Sequence, residues 1–205
     1  MNINIVSKYF TPSFILDIGA SIGYFTQQCK MAYPNAYYFL IEGNPALEPI
    51  LKEMNCDYFI GLLSDSEKVV TFFVNKREPI STGNSIYREV SEFFTDDNIL
   101  EIPLPTYKLD NIVPPNITFD FVKLDVQGSE LDIMRGGMKT ITAAKGVIME
   151  LSVVECNRGA PLEKEVIDFM TSIGFDGVEE VEQHFNSAGQ IVQRDVLFIN
   201  RNIEL

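Results

Sequence analysis

Short apolar runs of strand length alternate along this chain with stretches spaced like amphipathic helices. The runs predict strands near 14–18, 37–42, 57–62, 69–74, 119–124, 146–151, 176–181 and 195–200. Helical spacing predicts helices over 23–32, 45–54, 130–143 and 161–173, with Pro161 as the first helical residue of the last and Gly174 just past its end. Alternation of this kind points to an α/β fold with a mostly parallel sheet covered on both faces. The last two strands, joined by a polar stretch holding Asn186 and Gly189, predict an antiparallel hairpin that closes the sheet.

From Lys76 to Thr106 the alternation stops. Turn residues (Pro79, Ser81, Thr82, Gly83, Asn84, Ser85) precede a stretch from Tyr87 to Phe94 at roughly helical spacing. A long excursion from a compact domain is more often functional than neutral, so this segment is expected to be a lid-like insertion. Ser81, Ser85 and Tyr87 would contact a polar ring of the substrate, and Phe93 and Phe94 would anchor the lid to the core.

The 205 residues, 46% hydrophobic and 22% charged, suffice for one core, and no linker divides them, so a single domain over 1–205 is expected. A net charge of −13 argues against a nucleic-acid partner or an anionic membrane, both of which need a basic face. Cys29, Cys56 and Cys156 are isolated, which disfavours disulfides and zinc and suits a reducing compartment. Met1 to Phe10 lacks the pattern of a signal peptide and no apolar run reaches membrane-span length, so a cytoplasmic protein is expected.

Candidate chemistry begins at Asp17-Ile18-Gly19-Ala20-Ser21-Ile22-Gly23, where a strand runs into a glycine-spaced turn. The spacing is G-x-x-x-G; Ser21 stands where a dinucleotide fold needs its middle glycine, which argues against NAD or FAD. Asp17 would repel phosphates but suits a ligand with an ammonium group, as S-adenosylmethionine has. The run Tyr37–Ile41 ends in Glu42-Gly43-Asn44-Pro45, placing an acid where ribose hydroxyls are bound. The expected cofactor-binding set is Asp17, Gly19, Ala20, Gly23, Glu42, Asn44 and Asp125, with adenine near Ser64 and Asp65.

A third signature, Val122-Lys123-Leu124-Asp125-Val126-Gln127-Gly128-Ser129-Glu130-Leu131, is followed by Arg135-Gly136-Gly137. Together with the glycine turn, Glu150, the loop Asn157–Pro161, Gly174-Phe175 and Gln193-Arg194-Asp195, it resembles the FkbM family of S-adenosylmethionine-dependent methyltransferases. The resemblance implies a class I methyltransferase sheet, Rossmann-like and seven-stranded, in the order 3-2-1-4-5-7-6 with the seventh strand antiparallel. It also implies O-methylation of a hydroxyl on a sugar, glycan or related small natural product. Two alternatives stay beside it: a catalytically silent binding subunit of this fold, and a nucleotide-sugar or NAD-binding oxidoreductase.

An alcohol is a poor nucleophile at neutral pH, so a base or a cation must help to remove its proton. Asp125 and Glu150 end neighbouring strands and are the expected catalytic carboxylates, with Glu130 on the next helical turn. Gln127, Asn157, Ser85 and Tyr87 are the expected acceptor-binding residues. Carboxylate oxygens also suit Mg²⁺, but Gln127 stands where many relatives have Glu, so no metal ligand is assigned. Lys123 and Arg135 read as ion partners for nearby acids, and His184, the only histidine, as a surface residue of the hairpin connection, with a base role held in reserve.

Overall fold

Every position of strand β1 (Phe14–Ile18) after the first is buried, which a strand achieves only when both faces of its sheet are covered. The computed structural model describes residues 3–204. In it β1 lies between β2 (Tyr37–Glu42) and β7 (Phe121–Leu124), parallel to both. The sheet continues through β3 (Asp57–Ile60) on one side, and through β8 (Gly146–Ser152), β10 (Ile191–Asn200) and β9 (Phe175–Phe185) on the other. Its order is β3-β2-β1-β7-β8-β10-β9, and β10 runs antiparallel to both its neighbours. This is the mostly parallel, seven-stranded class I sheet that the sequence implied.

Alternate residues of each strand feed opposite layers. Leu16, Ile18, Val122, Leu124, Val147 and Met149 pack with α4 (Glu130–Gly136), α5 (Met138–Thr142) and α6 (Glu163–Ser172). Ile15, Leu40, Phe121 and Ile148 pack with α1 (Tyr24–Ala32) and α2 (Glu48–Lys52) on the other face. No helix among the described residues is long and apolar enough to cross a membrane.

Several boundaries differ from expectation. The run at 57–62 divides at Gly61: β3 stays in the main sheet, while β4 (Leu62–Leu63) pairs with β6 (Ile99–Tyr107). The strand expected at 69–74, here β5 (Val69–Asn75), lies outside the main sheet and pairs antiparallel with β6 in a second, three-stranded sheet. β6 takes up the C-terminal end of the expected lid. Its Pro103 and Pro105 disguise it, yet they fall where only β5 is its neighbour, so the missing N–H groups interrupt no second ladder.

The helix expected at 130–143 breaks at Gly136 and Gly137, where side chains would collide with the Ser64 carbonyl and with Leu109. The helix expected at 45–54 is shorter, with a 3₁₀ turn at Pro45–Leu47 leading into α2. Pro161 is not helical: Leu162 after it is still extended, and α6 begins at Glu163. The hairpin strands are longer than read, so His184 lies on β9 and not in the connection.

Candidate active site

The turn after β1 and the turn after β7 meet at the carboxyl edge of the sheet, where strand order reverses and open α/β sheets bind ligands. Gly19 has φ of +76°, and a Cβ placed on it would lie 1.8 Å from the Asp125 carbonyl oxygen. Only glycine lets the two backbones approach so closely. The Gly19 N–H donates to the Ile41 carbonyl at 2.9 Å, which ties the same turn to β2.

Beneath the turn, Asp17 is fully buried. Its Oδ2 accepts from Thr26 Oγ1 at 2.6 Å, and its Oδ1 lies 3.6 Å from Lys123 Nζ. Lys123 also donates to the Gly19 carbonyl at 2.9 Å and pairs with Asp125 Oδ2 at 3.2 Å. Burial pushes the Asp17 carboxyl up, against the pull of Lys123. Burial would lower the Lys123 pKa, but the Asp125 and Asp17 carboxylates hold it above the ordinary lysine value. This triad braces β1 against β7, which is the ion-partner role expected of Lys123.

At the end of β2, Glu42 accepts the Ser21 N–H at 2.8 Å and the Asn44 N–H at 2.8 Å, one on each carboxylate oxygen. Each oxygen keeps a lone pair for a further donor. Burial raises the Glu42 carboxyl, partly offset by those two N–H groups. Asn44 caps the following turn through Ala46 and donates to the Pro79 carbonyl at 2.7 Å, joining β2 to the long insertion.

The third corner is acidic. Gln127, held at φ +58°, donates through Nε2 to Glu150 Oε2 at 2.7 Å and, more weakly, to Asp125 Oδ1 at 3.4 Å. Gln193 also donates to Glu150 Oε2. His184 Nε2 stands 3.5 Å from Asp195 Oδ2 and 3.8 Å from Glu150 Oε1. Burial, and after it the charge of Asp125, raises the Glu150 carboxyl well above its ordinary value. Asp195 is raised for the same two reasons, with His184 pulling the other way.

These corners enclose a cavity of about 1190 Å³. Of the expected site residues, Gly19, Ala20, Glu42, Asn44, Asp125, Gln127, Glu150 and Ser85 line it. Asp17, Gly23, Ser64, Asp65, Glu130, Asn157 and Tyr87 do not. Gly23 faces Met54, and Asp65 is engaged by Lys68 and Ser66, whose contacts hold its carboxyl down at about 2. Glu130 turns back on its own loop, accepting from the Val126 and Gly128 N–H groups at 3.3 and 3.1 Å.

Glu78, Ile80 to Ile86, Glu89 and Val90 form the outer wall of the cavity. The insertion is pinned there by Tyr87, whose hydroxyl donates to Asp132 at 2.8 Å, and by Asn157, which donates to the Tyr87 carbonyl at 2.8 Å. Phe94 is buried as expected, but the Phe93 ring is 63% exposed, and it is the Phe93 carbonyl that is held, accepting from Asn75 and Asn98. Sequence reasoning held His184 only as a reserve candidate base and gave Gln193 and Asp195 no role in the site. Their signal was the polar residues repeating at every second position, Glu182 with His184 and Gln193 with Asp195, which places each pair on one face of a strand.

The profile of the methyltransferase FkbM domain matches residues 17–176. The chain belongs to the FkbM methyltransferase family. This FkbM protein is thus an S-adenosylmethionine-dependent methyltransferase, and the NAD-binding alternative falls away. No curated protein matches its sequence. Among solved structures it is similar to a candidate tRNA methyltransferase of Streptococcus pneumoniae, at 10% identity and a TM-score of 0.54, over 98% of this chain and 70% of that one. It is similar to M. capricolum TrmK bound to S-adenosylhomocysteine, at 12% identity and a TM-score of 0.51, over 97% of this chain and 67% of that one. The mitomycin 7-O-methyltransferase MmcR aligns at 13% identity and a TM-score of 0.51, over 92% of this chain and 49% of that one. At these identities the likeness is one of fold. The FkbM chain spans about half the length of two such methyltransferases.

Proposed function

We propose that this FkbM protein is an O-methyltransferase acting on a hydroxyl of a sugar, glycan or related small natural product. The observation that carries the reading is the charge of the cavity wall. Besides Glu42, Asp125, Glu150 and Asp195 it holds Glu78, Glu89, Glu155 and Glu182, and its one lysine, Lys123, is already paired. Such a wall suits a cationic cofactor and a neutral, hydroxyl-rich acceptor, and repels an RNA backbone.

The residues present fit S-adenosylmethionine. The cavity has room for it, and its lining holds the backbone of Gly19–Ser21, the Glu42 carboxylate that accepts the Ser21 N–H, and the acids Asp125, Glu150 and Asp195. Glu42 would accept the ribose hydroxyls, with Gly19, Ala20 and Asn44 around the same end. Gly61, Leu62 and Leu63 line the cavity where Ser64 and Asp65 do not, and they take over the expected adenine position. When bound, the cofactor supplies a methyl group on a sulfonium sulfur.

The protein's own residues do the rest. Asp125, whose side chain is 33% exposed, receives the proton that the acceptor hydroxyl gives up. Gln127 holds Asp125 and Glu150 in register, so that the acceptor oxygen meets a fixed pair of carboxylates. Ser85 and the rest of the insertion wall shape the acceptor end, with Tyr87 and Asn157 acting from behind it. The free cysteines Cys29, Cys56 and Cys156 support a cytoplasmic setting.

The test is transfer from S-adenosylmethionine carrying a ¹³C methyl group to glycosides, nucleotide sugars, polyhydroxylated polyketides and tRNA. The carbon shift of the product distinguishes a methyl ether from a methylamine. Methyl ether on a small hydroxylated acceptor supports the reading; label in tRNA or on nitrogen contradicts it.

A further inference from the structure

Glu150, His184 and Asp195 come from three adjacent strands, β8, β9 and β10, and all line the cavity. Each offers one donor atom, a carboxylate oxygen or a ring nitrogen, and the three atoms all lie within 4.8 Å of one another. Both carboxylates face the same ring nitrogen, at 3.5 and 3.8 Å, too far for two good hydrogen bonds. A general base would show one nitrogen to its carboxylate and the other to the substrate. Three lone-pair donors meeting at one point suit a cation between them instead.

Two independent features support this. Asp195, which is buried, is paired in register with Glu150 on one side and with Glu182 on the other, so a buried carboxylate stands directly across from two half-buried ones. Like charges so placed destabilise a sheet unless a counter-charge joins them. Further, Gln127 and Gln193 both grip the second oxygen of Glu150, which leaves Oε1 turned to His184. That is how outer groups orient a metal ligand.

We propose that Glu150, His184 and Asp195 bind a single divalent first-row transition cation such as Mn²⁺ or Zn²⁺. Two carboxylates and a neutral imidazole balance its charge, and the imidazole favours such an ion over Mg²⁺. Three protein ligands leave positions open to the cavity. On the O-methylation reading, on which this role but not the site rests, an acceptor oxygen occupies one of them and gives up its proton more readily.

The experiment is a Mn²⁺ titration of chelator-treated protein, following the loss of the free-ion paramagnetic resonance signal, with S-adenosylhomocysteine titrated separately by calorimetry. Wild type should bind about one ion per chain, and His184→Ala and Asp195→Asn should each weaken it by about tenfold or more. His184 is partly exposed and Asp195→Asn preserves shape, so both variants should fold, which their melting curves check. S-adenosylhomocysteine affinity should stay within about twofold in both. Absence of saturable binding, or binding unchanged in both variants, overturns the site. Loss of S-adenosylhomocysteine binding by wild type would instead count against the cofactor reading.

Discussion

The Ser85 hydroxyl donates to the Gln127 carbonyl at 2.7 Å, joining the insertion to the turn that carries the acidic residues. Gln127 sits at φ +58°, a conformation that a side chain other than glycine or asparagine adopts only when held. Ser85, itself clamped to Phe73 through backbone hydrogen bonds, is one of the holders. The insertion therefore sets the shape of the acidic corner as well as closing the cavity.

Ser85→Ala should cost about 1 kcal/mol of stability and loosen both partners at once. Amide hydrogen exchange should rise at 126–128 and across 80–90 while β1 and β8 stay protected. Faster exchange in the insertion alone would mean that the link does not support the turn.

Glu130 provides a pH signature. Burial lifts its carboxyl to about 7 against an ordinary 4.5, a difference of about 3 kcal/mol at roughly 1.4 kcal/mol per tenfold change. The folded state holds the proton to higher pH than the unfolded one. Its contribution is therefore present below the unfolded value, declines as pH rises toward about 7, and stays lost above it. Glu130→Gln keeps an oxygen for the Val126 and Gly128 N–H groups and removes the charge. Melting curves of the two proteins should diverge with rising pH, the variant gaining in relative stability up to neutrality. A constant offset would show that Glu130 ionises normally.

Asp125→Asn and Glu150→Gln address the chemistry. On the acceptor identified by the labelling experiment, loss of Asp125 as proton acceptor should lower kcat by roughly 10²-fold or more. Glu150→Gln should lower it as well, because Gln127 and Gln193 lose the carboxylate they orient. Undiminished rate constants in both would remove the pair from the mechanism.

The sequence made the main sheet legible because buried parallel strands write themselves as apolar runs, and Phe14–Ile18, Tyr37–Glu42 and Phe121–Leu124 are such runs. The two glycine-bearing turns were legible because backbone contacts such as Gly19 against Asp125 admit no other residue. β6 was hidden by Pro103 and Pro105, whose tolerance depends on a neighbour being absent. His184 and Asp195 were hidden for a different reason. They belong to half-polar strands whose meeting with Glu150 is fixed by the pairing of β8, β10 and β9, and pairing is not written in any local stretch. Tyr87 and Asn157 were read as acceptor contacts because they are polar and near a motif, yet their hydrogen bonds hold the wall from behind.

The account rests on Glu42 as the ribose-binding acid, and calorimetric titration of S-adenosylhomocysteine tests this most directly. Wild type should bind about one molecule per chain. Glu42→Ala, losing charge-assisted hydrogen bonds of about 1.5–3 kcal/mol each, should bind at least about tenfold more weakly. Equal affinity in the two proteins would contradict the placement of the cofactor and the reading of the cavity built on it.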